Sequence, residues 1–126
     1  MKYLLDTNAL LYTFSASGEL SARARRIVCS ESDLSVSIAS FWEIAIKQSI
    51  GKLRFNMSIP DLEARCNERD IRVLHILPSA LEHVKSLPHI HGDPFDRIII
   101  AHAMTENMAI VTRDRVIPQY KVKTIW

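Results

Sequence analysis

Carboxylates in four short motifs are the residues best suited to chemistry: Asp6 in LLDTN, Glu43 in FWEIAIK, Asp93 and Asp96 in HGDPFDR, and Asp114 in VTRD. Each falls where apolar patterning places the end of a strand or the opening turns of the next helix. In an open α/β sheet that edge is where ligands bind. Carboxylates gathered there repel one another: two bare charges about 4 Å apart cost roughly 4 kcal/mol at an effective dielectric near 20. A divalent cation is the natural counter-charge, and oxygen-only ligands favour Mg²⁺ or Mn²⁺. The pattern points to metal-dependent chemistry on phosphates.

The elements that must position these acids follow from apolar spacing and from turn residues. Strands are expected at 2–5, 34–36, 73–77, 109–112 and 122–125, with helices at 7–14, 19–31, 59–69, 78–87 and 93–107. A further helix, capped by Ser37 or Ser40, runs to Ile50 and stops at Gly51. Strands alternating with helices predict a single α/β domain spanning 1–126, with parallel pairing and right-handed crossovers. Asp6 and Asp114 follow strands directly. A crossover helix runs antiparallel to its strands, so Asp93 and Asp96 at its start reach the same edge. Glu43 lies about one and a half turns into its helix, within reach of that edge.

Each acid also has an ordinary structural role open to it. Asp6 could cap the helix after it, with Asn8 either orienting Asp6 or completing the turn. Glu43 stands four residues before Lys47, a pairing worth about 0.2–0.5 kcal/mol, and three after Ser40, the spacing of a capping box. Its neighbours Phe41, Trp42, Ile44 and Ile46 predict a crowded helix in which an acid needs a partner. Asp93-Pro94-Phe95-Asp96 fits the N-cap and first turn of a helix, so Asp93 is as well explained by capping as by metal binding. Asp114 could cap the turn after its strand, with the Thr112 hydroxyl nearby. Arg97 would hold a carboxylate or contact phosphate. Trp42 and Trp126 are assigned to core packing.

Composition narrows the remainder. The chain has 126 residues, 48% hydrophobic and 24% charged, with a net charge of +2. If the four principal acids form a metal site, the 16 Lys and Arg outnumber the other 10 acids, which suits a polyanionic substrate. Cys29 and Cys66 form no CxxC pattern and predict reduced thiols in a cytoplasmic protein. No apolar run is long enough for a membrane span. Among the five histidines no HExxH pair occurs, and His89-Ile90-His91 has no obvious third ligand nearby in sequence, which argues against zinc. Three glycines in all exclude a Gly-rich phosphate loop.

Taken together, LLDTNALLY, SFWEIAIKQSIGKL, HGDPFDRIIIAHA and AIVTRD resemble the PIN-domain family, and within it the VapC-like toxins of bacterial toxin–antitoxin modules. The resemblance runs over essentially the whole chain, and DPFDR followed by an apolar helix marks one branch. It implies a three-layer α/β/α sandwich with a central parallel five-stranded sheet in the order 3-2-1-4-5. It also implies a Mg²⁺- or Mn²⁺-dependent endoribonuclease whose catalytic quartet is Asp6, Glu43, Asp96 and Asp114. Asp6, Asp96 and Asp114 would ligate metal, with Glu43 and Asp93 as further candidates, and Thr7, Asn8 and Thr112 would support them. A homodimer, an RNA substrate and a cognate antitoxin are implied as partners. Lys47, Lys52 and Arg97, with Arg23 and Arg26, are candidates to contact RNA phosphates.

Two other functions fit the same acids. One is a metal-dependent DNA nuclease, since carboxylate–metal chemistry does not distinguish sugars; a DxD phosphatase is disfavoured because Asn8 stands where its second Asp would be. The other is a non-catalytic module whose acidic cleft binds a basic partner peptide.

Overall fold

Leu4 and Leu5 are adjacent and both fully buried, yet they join different cores, as strand neighbours must when both faces of a sheet are covered. The computed structural model describes residues 1–30 and 33–126. Its strands are β1 (Lys2–Leu5), β2 (Asp33–Ser37), β3 (Ile71–Leu74), β4 (Ala109–Val111) and β5 (Thr124–Ile125). All pairings are parallel, in the order β3-β2-β1-β4-β5. The helices are α1 (Thr7–Thr13), α2 (Ala22–Cys29), α3 (Ile38–Ser49), α4 (Ile59–Glu68), α5 (Pro78–Ser86) and α6 (Pro94–Glu106), with a 3₁₀ turn at Ile117–Gln119. This is the three-layer α/β/α architecture with the expected strand order.

On one face Leu5 and Val111 pack with Leu10 of α1, Val28 of α2, Phe41 and Ile44 of α3, and Leu62 of α4. On the other, Leu4 and Ile110 pack with Ile99, Ile100 and Ala103 of α6 and with Leu87 after α5. Each fully buried Leu or Ile stabilises the fold by about 1.5–3 kcal/mol. The two cores therefore clamp β1 and β4 from both sides and hold their carboxyl ends together. The backbone tie from Asp6 N–H to Val111 O, 3.2 Å, continues that pairing one residue past β1.

Several boundaries differ from the sequence reading. β3 begins at Ile71, two residues before the expected start, and ends at Leu74 instead of 77. The cause is Asp70 at φ 54: it reverses the chain in the left-handed region, where Asp is tolerated, and delivers Ile71 straight into register with Leu34. β5 is the shorter Thr124–Ile125. α2 starts late because the Ser21 side chain caps it, accepting from Ala24 N–H; its expected end at Glu31 lies outside the described residues. Ser37, not Ser40, caps α3, so Glu43 is not part of a capping box. The predicted crowding around Glu43 is also incomplete. Trp42 is 61% exposed and heads a half-exposed stripe with Ile46 and Ile50, so it is not a core residue. Among the described residues no helix is long and apolar enough to cross a membrane.

Candidate functional site

Asp6 caps α1, its Oδ1 accepting from Ala9 N–H at 2.8 Å. Capping leaves the carboxylate buried at the sheet edge, only 6% exposed. Burial pushes its pKa up to about 6; bonds from Thr112 and Ala9 pull it down, while the charges of Asp114 and Glu43 raise it further. Asp6 thus senses acids from β4's end and from α3.

Glu43 is equally buried. Its Oε1 lies 2.7 Å from Thr7 Oγ1, and Oε2 lies 2.9 Å from Lys47 Nζ. Ser40 Oγ is 3.0 Å from the same Thr7 hydroxyl. A hydroxyl has one proton and a carboxylate can only accept, so Thr7 donates to Glu43 and takes its second contact from Ser40. Lys47 is held charged, its pKa raised first by the bond to Glu43 and then by the charges of Asp93 and Asp96.

Asp93 is the N-cap of α6, with Oδ1 accepting from Phe95 N–H at 2.8 Å. That is the capping role its spacing allowed. Asp96, in the first turn, has its pKa pushed up to about 7 by burial, then by the charge of Asp93, with His91 opposing and Asp6 and Glu43 adding smaller upward pushes. Asp114 is reached from the other side of the sheet's centre. Its N–H donates to Thr112 Oγ1 at 3.0 Å, and its Oδ1 accepts from Val116 and Ile117 N–H at 2.7 and 3.1 Å. Burial pushes its pKa up, but those backbone donors and His91 outweigh it and leave the group below the usual range.

The residue that sequence reasoning set aside is His91. Its Nε2 lies 3.2 Å from Asp96 Oδ2 and 3.2 Å from Asp114 Oδ2, so the other two members of its cluster come from α6 and the turn after β4. The nearest partner in sequence is five residues away, and Asp114 is 23 away. Only its place two residues before the Asp93 cap hinted that it would turn inward.

The structure does not use every candidate for the site. Asn8 is exposed on α1. Arg97 is committed to the fold: Nη1 bonds Pro88 O at 2.8 Å and Tyr120 Oη at 3.3 Å, and Nη2 bonds Val84 O and Leu87 O at 3.2 and 3.3 Å. It neither holds a carboxylate nor offers its guanidinium to phosphate. Lys52, Arg23 and Arg26 are exposed. A cavity of about 840 Å³ lies at the opposite edge of the sheet, lined by Met1, Met104, Met108, Tyr120 and Val122 among others. It contains none of the acids.

No curated protein sequence matches the chain. Solved structures do. The chain is similar to VapBC2 from Rickettsia felis bound to a DNA fragment from its promoter, with TM-score 0.74 and 15% identity over 100% of this chain and 99% of that one. It is also similar to VapBC-1 from nontypeable Haemophilus influenzae, with TM-score 0.67 and 20% identity over 99% and 97% of the two chains. FitAcB from Neisseria gonorrhoeae gives TM-score 0.66 and 19% identity over 98% and 96%. At these identities the likeness speaks for the fold. The sequence itself matches the family model of the PIN domain over residues 3–123. The acids at the carboxyl edge of this sheet are carried by a chain that belongs to the PIN-domain family.

Proposed function

We propose that this chain is a metal-dependent endoribonuclease, the toxin of a toxin–antitoxin module, that hydrolyses RNA phosphodiesters at Asp6, Glu43, Asp96 and Asp114. The observation that carries the reading is the convergence of acids from β1, α3, α6 and the end of β4 on one edge, where burial first and neighbouring acid charges second raise Asp6 to about 6 and Asp96 to about 7. Carboxylates held together in a buried site, each disfavouring charge on the others, fit a hard divalent cation, Mg²⁺ or Mn²⁺. Asp6, Asp96 and Asp114 would hold it. When bound, such an ion acidifies an attacking water and stabilises charge on the leaving oxygen.

The chain's own groups supply the rest. Thr7 and Lys47 fix the two oxygens of Glu43, so its remaining lone pairs are oriented to accept a proton from an attacking water. Thr112 links Asp6 and Asp114 through its hydroxyl. In-line attack on a phosphodiester by water leaves a 5′-phosphate and a 3′-hydroxyl. Exposed Lys52, Arg23 and Arg26 would contact the RNA backbone without reading sequence.

The toxin reading is supported by the solved neighbours, which are described as VapBC, FitAB and toxin–antitoxin complexes. By the same reading the partners are a cognate antitoxin and a second copy of this chain, and the protein acts in the cytoplasm. The test is incubation of antitoxin-free protein with total cellular RNA and with DNA of matched sequence, in Mg²⁺ or Mn²⁺, beside EDTA and Asp6→Asn controls. RNA cleavage abolished by both controls is expected. Cleavage of DNA alone would replace the substrate, and no cleavage by folded protein would leave a binding module.

A further inference from the structure

Three donor atoms, His91 Nε2 and one oxygen each of Asp96 and Asp114, lie within 4.8 Å of one another. Taken alone, that is a mixed nitrogen and oxygen metal site. The hydrogen bond on the far side of the ring argues otherwise. His91 Nδ1 faces Asp93 N–H at 3.1 Å, so Nδ1 must present its lone pair. The neutral ring then carries its proton on Nε2, in hydrogen-bond contact with Asp114 Oδ2 at 3.2 Å, with Asp96 Oδ2 also 3.2 Å away.

The geometry points to His91 as an N–H donor that positions the carboxylate of Asp114, beside that of Asp96, for the metal, and not as a metal ligand itself. This rests on the metal-site reading above. To ligate, Nε2 would have to be bare, and its proton would move to Nδ1, where it would meet Asp93 N–H head on. The loop that carries the ring is also held in place. Ile90 and His91 N–H both donate to Tyr120 Oη, at 3.1 and 2.7 Å. That hydroxyl donates to Pro88 O at 2.8 Å, and Arg97 holds the same carbonyl. Arg97 and Tyr120 thus clamp the loop that presents His91, which accounts for an arginine beside the site that touches none of its acids. Metal-bound carboxylates are commonly hydrogen-bonded in this way, and loss of such a partner typically weakens metal binding about 10–100-fold. A donor role also keeps the ligand set all oxygen, which favours Mg²⁺ or Mn²⁺ over zinc.

The test is Mn²⁺ titration of the full chain and of His91→Ala and His91→Gln, with pulsed EPR of the Mn²⁺-loaded unsubstituted protein to detect coordinated ¹⁴N. Gln can place an N–H near the position of Nε2. Expected are an affinity loss of about 10-fold or more in His91→Ala, recovery of most of it in His91→Gln, and no directly coordinated ¹⁴N. Directly coordinated ¹⁴N, unchanged affinity in His91→Ala, or an equal loss in both variants would overturn the assignment while leaving the metal site standing. Failure of the unsubstituted chain to bind Mn²⁺ at all would overturn the metal-site reading and this inference with it.

Discussion

The first turn of α6 and the turn after β4 each present a carboxylate to the same imidazole nitrogen at the same 3.2 Å, yet the two acids are pushed in opposite directions. Asp96 is raised to about 7, by burial first and by neighbouring Asp93 next. Asp114 is lowered, because two backbone N–H groups and His91 outweigh its burial. The shared histidine lowers both acids and therefore does not account for the difference between them. Deeper burial beside Asp93 and backbone supply do: the turn after β4 aims two N–H groups at Asp114, whereas the N-terminal donor of α6 at Phe95 is taken by the Asp93 cap. One side of the site is satisfied by the protein; on the other, the proposed cation would supply the missing counter-charge.

The largest effect that could break this comparison is catalytic. Under the proposed function both acids hold metal, so Asp96→Asn and Asp114→Asn should each lower RNA cleavage on the order of 100-fold or more, as the loss of a few kcal/mol of transition-state stabilisation requires. Full activity in either variant would remove that acid from the site.

Stability should separate the two where activity does not. In the absence of metal at pH 8, Asp96→Asn relieves a buried charge and should stabilise by on the order of 2 kcal/mol. Asp114→Asn weakens charge-assisted bonds to Val116 and Ile117 N–H and should destabilise by about 1 kcal/mol. Urea denaturation measures both, and shifts of the same sign would contradict the contrast.

The pH dependence has a sign that follows from the same shifts. Unfolded, these acids lose their protons near pH 4; folded, Asp6 and Asp96 keep theirs to about 6 and 7. Between those values the folded chain binds more protons, so their contribution to metal-free stability falls as pH rises and is fully lost above the folded values. Asp114 works the other way, contributing stability above its unfolded pKa that is lost on acidification. Between pH 5.5 and 8 Asp114 stays charged, and the opposing group is His102, whose burial lowers its pKa so that its contribution grows as pH rises. Two raised acids against one lowered histidine predict a lower metal-free Tm at pH 8 than at pH 5.5, and a larger gain from Mg²⁺ at pH 8. A Tm that climbs over that range without metal would contradict the account.

The smallest effect sharpens the role of the clamp. Tyr120→Phe strands Ile90 and His91 N–H and should cost about 1–2 kcal/mol, softened by water reaching this partly buried loop. A thermal or urea melt checks it, and no change would mean that the loop is held by Arg97 alone.

The placement of Asp6, Glu43, Asp96 and Asp114 in the fold was legible in the sequence because each sits where strand and helix periodicity can locate it: a strand end or a helix's opening turns. The strand order came with the resemblance carried by the four motifs. What was not legible depends on contacts between distant segments. His91 looked partnerless because its acids lie on another helix and beyond another strand. Arg97 looked available because the four acceptors that occupy it are Tyr120 Oη and carbonyls of the segment at 84–88. Trp42 looked buried because apolar neighbours in sequence say nothing about which side of α3 is covered. β3 was misplaced because a left-handed Asp70 gives no glycine signal.

The chemistry of the cleaved ends tests the central claim most directly. RNA fragments produced by the purified protein in Mg²⁺ or Mn²⁺ should carry 5′-phosphate and 3′-hydroxyl termini, since water is the nucleophile when carboxylate-held metal drives hydrolysis. Fragments ending in a 2′,3′-cyclic phosphate with a 5′-hydroxyl would mean that the RNA's own 2′-hydroxyl attacks. That result would contradict the account and shift the chemistry from the acids to general acid–base catalysis.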